Sequence, residues 1–140
     1  MPEITAVARE IFAAQPFTAL LGAELTGIGE DWAEISITMQ KALQQQHGYA
    51  HGGVLSYLAD NALTFAGGMS LGGDALTSEF KINYVAPAKG EKLVARANAL
   101  SVGRRQAVCQ CLVYSSTGEE ESLVAVAQGT ITAVTPTAQG

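Results

Sequence analysis

Residues 53–66 (GVLSYLADNALTFA) constrain the chain most. Wound at about 3.6 residues per turn, they spread Val54, Leu55, Leu58, Ala59, Ala62, Leu63, Phe65 and Ala66 over most of a helix circumference. A helix that is apolar nearly all round is not a surface helix, so the rest of the chain has to enclose it. The pattern predicts a helix from Gly53 to Ala66 that stops at Gly67-Gly68, where glycine permits the C-terminal turn. Upstream, residues 3–14 place Ile4, Val7, Ala8 and Ile11 at helical spacing until Pro16, and Phe17 to Leu21 read as a further short turn.

Most of the remaining chain alternates. Glu24 to Ile28 and Trp32 to Met39 read as a hairpin closed by Gly29-Glu30-Asp31, with Ile35, Ile37 and Met39 on one face. The polar residues 40–50 read as a loop leading into His51-Gly52-Gly53. Further strands are predicted over Thr77–Val85, Lys92–Val102, Ala107–Tyr114 and Leu123–Val134, divided by Pro87-Ala88-Lys89-Gly90, Gly103-Arg104-Arg105 and Ser115 to Glu121. Such short connections make neighbouring strands antiparallel. The expected fold is α+β: a single domain over residues 1–140, with its core at about 20–134, in which six antiparallel strands curl around one buried helix. A small-residue face (Ala95, Ala97, Ala99, Ala125, Ala127, Gly129) suits that close wrapping.

Composition narrows the function. Thirteen acidic against eight basic residues give a net charge of −5, which excludes a general nucleic-acid binder that works by displacing counterions with a basic face. No apolar run reaches the ~18 residues of a membrane span, and residues 1–20 lack a secretion signal, so a cytoplasmic protein with no membrane contact is expected. The charged fraction of 15% lies below the roughly 25% of average soluble domains and implies surface covered by other subunits. Cys109 and Cys111 share one strand face and read as structural thiols. His47 and His51 lack a third nearby ligand, so no metal site is expected.

Three polar side chains interrupt the apolar helix in one row: Ser56, Asp60 and Thr64, at i, i+4 and i+8. No Lys or Arg lies between 42 and 80 to neutralise Asp60. A buried carboxylate without a partner costs several kcal/mol, so Asp60 is either satisfied by hydroxyls and amides or used chemically. Gly52 and Gly53 open the helix, where backbone N–H groups lack intrahelical acceptors. They serve either a tight turn or an oxyanion site. Asp60 lies eight residues beyond Gly52, ~12 Å along a helix, so one carbonyl cannot touch both within one chain. Cooperation would require two such helices running antiparallel across a twofold axis. Six basic residues (Lys81, Lys89, Lys92, Arg96, Arg104, Arg105) cluster between 81 and 105 with Glu91 as the one acid. They form either a phosphate-binding patch or solvated strand ends.

Gln45-x5-His51-Gly52-Gly53-x6-Asp60, followed by Lys81-Ile82-Asn83-Tyr84-Val85-x-Pro87-Ala88, Gly103-Arg104-Arg105 and Gly129-Thr130, resembles the hotdog-fold acyl-CoA thioesterases. The branch resembled acts in phenylacetate and hydroxybenzoate metabolism. The resemblance implies hydrolysis of an aryl- or medium-chain acyl-CoA to the free acid and CoA, without metal or redox cofactor, by a homodimer or a dimer of dimers. It implies that Gly52 N–H polarises the thioester carbonyl and that Asp60 of the partner acts as nucleophile or general base. Gln45 would orient thioester or water, and Thr64 or Ser78 would position the water. His51, Gly53, Tyr49, Tyr84, Arg104 and Arg105 would contact substrate, with Phe65 also available to an aryl pocket. The alternative from another class is a non-catalytic acyl-CoA-binding sensor. A hydratase is disfavoured by an acid on the helix without the His base such enzymes use.

Overall fold

The computed structural model describes residues 2–134. Two N-terminal helices, α1 (Pro2–Ala14) and α2 (Pro16–Leu21), precede strands β1 (Ala23–Ile28) and β2 (Trp32–Thr38). A 3₁₀ turn (Lys41–Leu43) and a loop lead to the long helix α3 (Gly52–Leu71). Strands β3 (Ala75–Tyr84), β4 (Lys92–Val102), β5 (Gln106–Thr117) and β6 (Glu120–Ala133) complete the chain. The strands form one sheet in the order β1-β2-β4-β5-β6-β3, with every neighbouring pair antiparallel. Helix α3 packs against β2 through β6, so the sheet encloses one helix as its apolar circumference requires.

Small side chains on the inner face let the helix approach. Ala95, Ala97, Ala125 and Ala127 are buried there, with Cys109 and Cys111 beside them, both cysteines free. At Gly129 a Cβ would lie 2.6 Å from Glu79 O and from the Cβ of Phe80, so β6 has no room for a side chain there.

Helix α3 runs past the expected stop at Gly67-Gly68 and ends at Gly72, whose φ of 78° turns its N–H back to Gly68 O and Met69 O. Gly67 is a packing residue: a Cβ there would come within 2.5 Å of the Ile131 side chain. Strands β5 and β6 likewise extend through much of the stretch expected to be a break. A tight turn at Gly118 (φ 62°) joins them, and the hydroxyl-rich residues before it are used internally, Ser115 Oγ accepting from Gly90 N–H and Ser116 O from Glu91 N–H.

The N-terminal helix faces inward through Ala8 and Phe12, whereas Val7 and Ile11, expected on its apolar side, are exposed. The Phe12 ring meets Phe65 edge-on at 5.7 Å. A polar cluster fastens α2 to α3. Thr18 Oγ1 lies 2.6 Å from both Gln15 Oε1 and Tyr57 Oη, and Asn61 Nδ2 donates to Gln15 Oε1 and Tyr57 Oη at 3.0 Å. Burial pushes the Tyr57 hydroxyl above its ordinary range against the opposing pull of Thr18 and Asn61.

Candidate active site

The loop before α3 is held at several points, which places the start of the helix firmly. Gln44 pairs with Ala50, and Gln45 N–H donates to Tyr49 O at 2.8 Å across a turn that needs the positive φ of Gly48. Ala50 N–H donates to Ala88 O and His51 N–H to Leu43 O, each at 2.8 Å. His51 is the N-cap of α3, with extended backbone, and its Nδ1 accepts from Gly53 N–H at 2.8 Å. A neutral imidazole that accepts at Nδ1 carries its proton on Nε2. His51 therefore caps the helix and orders the loop.

That capping leaves one amide over. Gly53 N–H is spent on His51 and Val54 N–H on His51 O, while Gly52 N–H has no hydrogen-bond partner among the described residues. Gly52 lines a cavity of about 450 Å³ whose walls include Gln45, Tyr49, Leu55, Tyr84 and Pro87. The Oε1 of Gln45 accepts from the N–H groups of His47 and Tyr49, so its Nε2 donors are left without a partner among the described residues.

Asp60 lies two turns further along α3. The row Ser56, Asp60, Thr64 is present, but Asp60 is half-buried, because the sheet covers the Leu- and Ala-rich side of α3 and leaves this side partly open. No ion pair reaches Asp60: the salt bridges among the described residues join Arg96 to Glu34 and Glu121. Hydroxyls hold it instead. Thr77 Oγ1 donates to Asp60 Oδ1 at 2.7 Å, Thr64 Oγ1 donates to Asp60 O at 2.7 Å, and the two threonine hydroxyls lie 2.6 Å apart. The second carboxylate oxygen, Oδ2, has no partner among the described residues.

The hydroxyl nearest the Asp60 carboxylate thus comes from Thr77, with Thr64 Oγ1 3.5 Å from the same oxygen. The next residue, Ser78, sits at a break in the β3–β6 register and bonds Thr132. Thr77 pairs with Ile131, a buried position facing α3, which directs its hydroxyl at the helix. Phe65 is buried against Phe12 and does not line the cavity, which Tyr49 and Tyr84 do.

The basic residues divide. Arg96 is spent on the outer face of the sheet, bonded to both oxygens of Glu121 and to Glu34 at 2.8 Å, with its Cζ 5.1 Å from the Tyr114 ring centroid. Arg104 and Arg105 are exposed at the β4–β5 turn. Register places that turn beside the start of β3, since Gln106 and Leu76 both pair with Thr132, while Tyr84 lies at the far end of β3 beside Gly52. Within one chain the two arginines lie at the opposite end of the sheet from the cavity. Lys89 and Lys92 lie near its end.

Comparison with known proteins agrees with this architecture. The thioesterase superfamily matches residues 47–122, a span that contains Gly52, Asp60, Thr64 and Thr77. A crystal structure of a thioesterase family protein from Silicibacter pomeroyi is 33% identical, with a TM-score of 0.87 over 92% of this chain and 96% of that one. The E. coli PaaI protein from the phenylacetic acid degradation operon shares the fold, with a TM-score of 0.83 over 96% of this chain and 95% of its own at 22% identity. A Listeria monocytogenes 1,4-dihydroxy-2-naphthoyl-CoA hydrolase is 26% identical over 113 residues, 79% of this chain and 89% of its own length. With a six-stranded antiparallel sheet around one long helix and a family match across more than half its length, the chain is a hotdog-fold thioester hydrolase of the thioesterase superfamily.

Proposed function

We propose that the protein hydrolyses an acyl-CoA, aryl or medium-chain, in a site shared between two subunits. The thioester carbonyl oxygen is received by Gly52 N–H of one protomer and the carbonyl carbon meets Asp60 of the other. The observation that carries this reading is the pairing of an unbonded amide at the N-terminus of a 20-residue helix with an unbonded carboxylate oxygen eight residues along it. A separation of ~12 Å along the helix prevents both from reaching one carbonyl within a chain, and a twofold axis removes the conflict.

The roles follow from the donors. The Gly52 amide, aided by the positive end of α3, stabilises negative charge that develops on the carbonyl oxygen. Thr77 fixes Asp60 through Oδ1, so Oδ2 is the oxygen that attacks the carbonyl carbon or takes a proton from water. In the first route the acyl group passes to Oδ2 as a mixed anhydride that water then hydrolyses, and in the second the water oxygen adds to the carbonyl carbon directly; either breaks the C–S bond, and the CoA thiolate that leaves takes up the proton given by the water. Gln45 offers its Nε2 to the thioester or to water, and Thr64 supplies a hydroxyl beside the carboxylate. Tyr49 and Tyr84 give the cavity aromatic walls suited to a flat acyl group, and the aryl-CoA substrate in the Listeria relative's name supports the same class. Arg104 and Arg105, remote from the cavity of their own chain, would serve CoA phosphates only at a site contributed by another subunit.

The test is release of free CoA thiol from a panel of aryl- and alkyl-CoA thioesters by wild type and by Gly52→Pro. Position 52 is the first residue of α3, where proline is tolerated, and His51 already has the extended backbone (φ −63°, ψ 139°) that a following proline prefers. The substitution therefore removes one amide proton from a helix that still forms. We expect kcat to fall roughly 100-fold or more, as for loss of an oxyanion donor. Wild-type turnover by a folded Gly52→Pro protein would defeat the reading, and a wild type that binds acyl-CoA but releases no thiol would make it a sensor.

A further inference from the structure

Tyr84 does more than line the cavity. It is the last residue of β3, 32 positions from Gly52 in sequence, and its hydroxyl donates to Gly52 O at 3.1 Å. The same Oη lies 2.6 Å from Ser56 Oγ. A phenol has one proton to give. With that proton on Gly52 O, Ser56 must be the donor to Tyr84, which gives a directed chain from Ser56 through Tyr84 to Gly52. The aromatic ring also stands against Gly52, with Tyr84 Cζ 3.4 Å from where a Cβ would be.

From this geometry we infer that Tyr84 is a positioning residue for the Gly52 amide. This rests on the reading of that amide as the oxyanion donor. The physical need is specific: glycine is the residue with the widest backbone freedom, and the first turn of a helix is where fraying begins. A donor that must point at a developing charge gains nothing from helix polarity if its peptide plane swings. Gly52 N–H belongs to the peptide plane whose carbonyl is His51 O, which the first helical turn holds through Val54 N–H, while Tyr84 fixes the next plane through Gly52 O, so together they limit rotation at the Gly52 Cα between them; β3 is held there by the pairing of Tyr84 with Ala125. Ser56 fixes the phenol, and it belongs to the same helical row as Asp60, so the row of polar residues on α3 has one member at each half of the proposed chemistry.

Tyr84→Phe deletes the hydroxyl and keeps the ring, and Ser56→Ala removes the donor behind it. For Tyr84→Phe we expect a roughly 10- to 100-fold loss in kcat with KM within about twofold, since the ring that forms the cavity wall is retained. The backbone ¹⁵N order parameter of Gly52 is expected to drop from about 0.85 towards 0.6. Ser56→Ala should lower kcat in the same sense by a smaller factor. An unchanged Gly52 order parameter in Tyr84→Phe overturns the clamp, and so does an unchanged kcat. Gly52→Pro keeps the two ideas apart. If it abolishes turnover while Tyr84→Phe has full kcat, the Tyr84 role is wrong and the amide reading stands. If both retain wild-type kcat, the amide reading has failed as well.

Discussion

Thr77 holds Asp60 from across the fold: its Oγ1 on β3 donates to the carboxylate Oδ1 on α3 at 2.7 Å, 17 positions away in sequence. The bond explains how a carboxylate on an otherwise apolar helix is kept without a cation. One oxygen is satisfied by a hydroxyl, Thr64 Oγ1 lies 3.5 Å from the same Oδ1 and 2.6 Å from Thr77 Oγ1, and the other oxygen is left over. A salt bridge in the same place would have occupied the charge. A hydroxyl orients it and leaves it available.

Asp60→Asn keeps the shape and removes the charge. Turnover should fall by roughly 10³-fold or more while the melting temperature changes little, because Asn can still accept from Thr77 through its carbonyl oxygen. Thiol release and thermal unfolding measured on one preparation check this, and an unchanged rate would remove Asp60 from the chemistry.

The shared site makes a sharper demand. Mixing inactive Asp60→Asn with inactive Gly52→Pro subunits, then refolding together, produces mixed dimers in which one of the two sites combines an intact Gly52 with an intact Asp60. Random pairing makes half of the dimers mixed, so about a quarter of wild-type activity should return under twofold symmetry. A site contained in one chain predicts no recovery at any mixing ratio.

Thr77 and Ser78 are adjacent but bond different partners, Asp60 and Thr132. Thr77→Val is isosteric but leaves Asp60 Oδ1 without its donor, and should lower kcat roughly 10- to 100-fold through lost orientation of the carboxylate. Ser78→Ala loses only the bond to Thr132 and should stay within a few-fold of wild type. Equal losses in the two variants would mean that the second hydroxyl reaches the reaction after all.

What was legible in the sequence follows periodicity. An all-round apolar helix and alternating strands announce themselves, and so does the polar row Ser56, Asp60 and Thr64 that interrupts the helix. The resemblance read from sequence named Ser78 and passed over Thr77, and a register break sits between Thr77 and Glu79. Sequence alternation cannot say which side of such a break keeps the inward phase. Gly67 misled for a related reason: glycine ends helices and also makes room against a neighbour, and only the position of Ile131 decides which. The basic cluster between 81 and 105 looked like one patch because sequence distance hides that an 11-residue strand carries its two ends apart, and that Arg96 is already claimed by two glutamates.

Arg96 gives a pH-dependent expectation. Burial works to raise the Glu34 carboxyl, but the hydrogen bonds from Arg96 and Thr26 outweigh it and leave Glu34 below the usual carboxylate value. The Arg96 hydrogen bond likewise holds Glu121 low. Carboxylates whose pKa is depressed in the folded state add stability above their unfolded pKa, and that stability is lost as pH falls through the folded value. Arg96→Met should therefore cost about 1 kcal/mol or less at neutral pH, the pair being part-exposed. The gap to wild type should close as the pH is lowered below the ordinary glutamate value of 4.5. Urea melts at pH 7 and at successively lower pH test it; a gap that stays constant would mean that Arg96 acts by packing on Tyr114 instead.

Gly67→Ala separates helix propensity from packing, because the two have opposite signs. In an exposed helix interior, alanine would gain close to 1 kcal/mol over glycine. Here the added methyl would meet Ile131, with its Cβ 2.5 Å, Cγ2 2.6 Å and Cγ1 2.7 Å away. Ile131 is fully buried on β6 and paired with both Thr77 and Ala107, so it has no open side to move into. Overpacking of this kind costs about 1–3 kcal/mol, which outweighs the propensity gain, and the melting temperature should fall by several degrees. The displacement would also pass to Thr77 through its pairing with Ile131, so kcat should decline along with stability. A variant more stable than wild type would show that α3 is not seated on β6 as closely as these distances require.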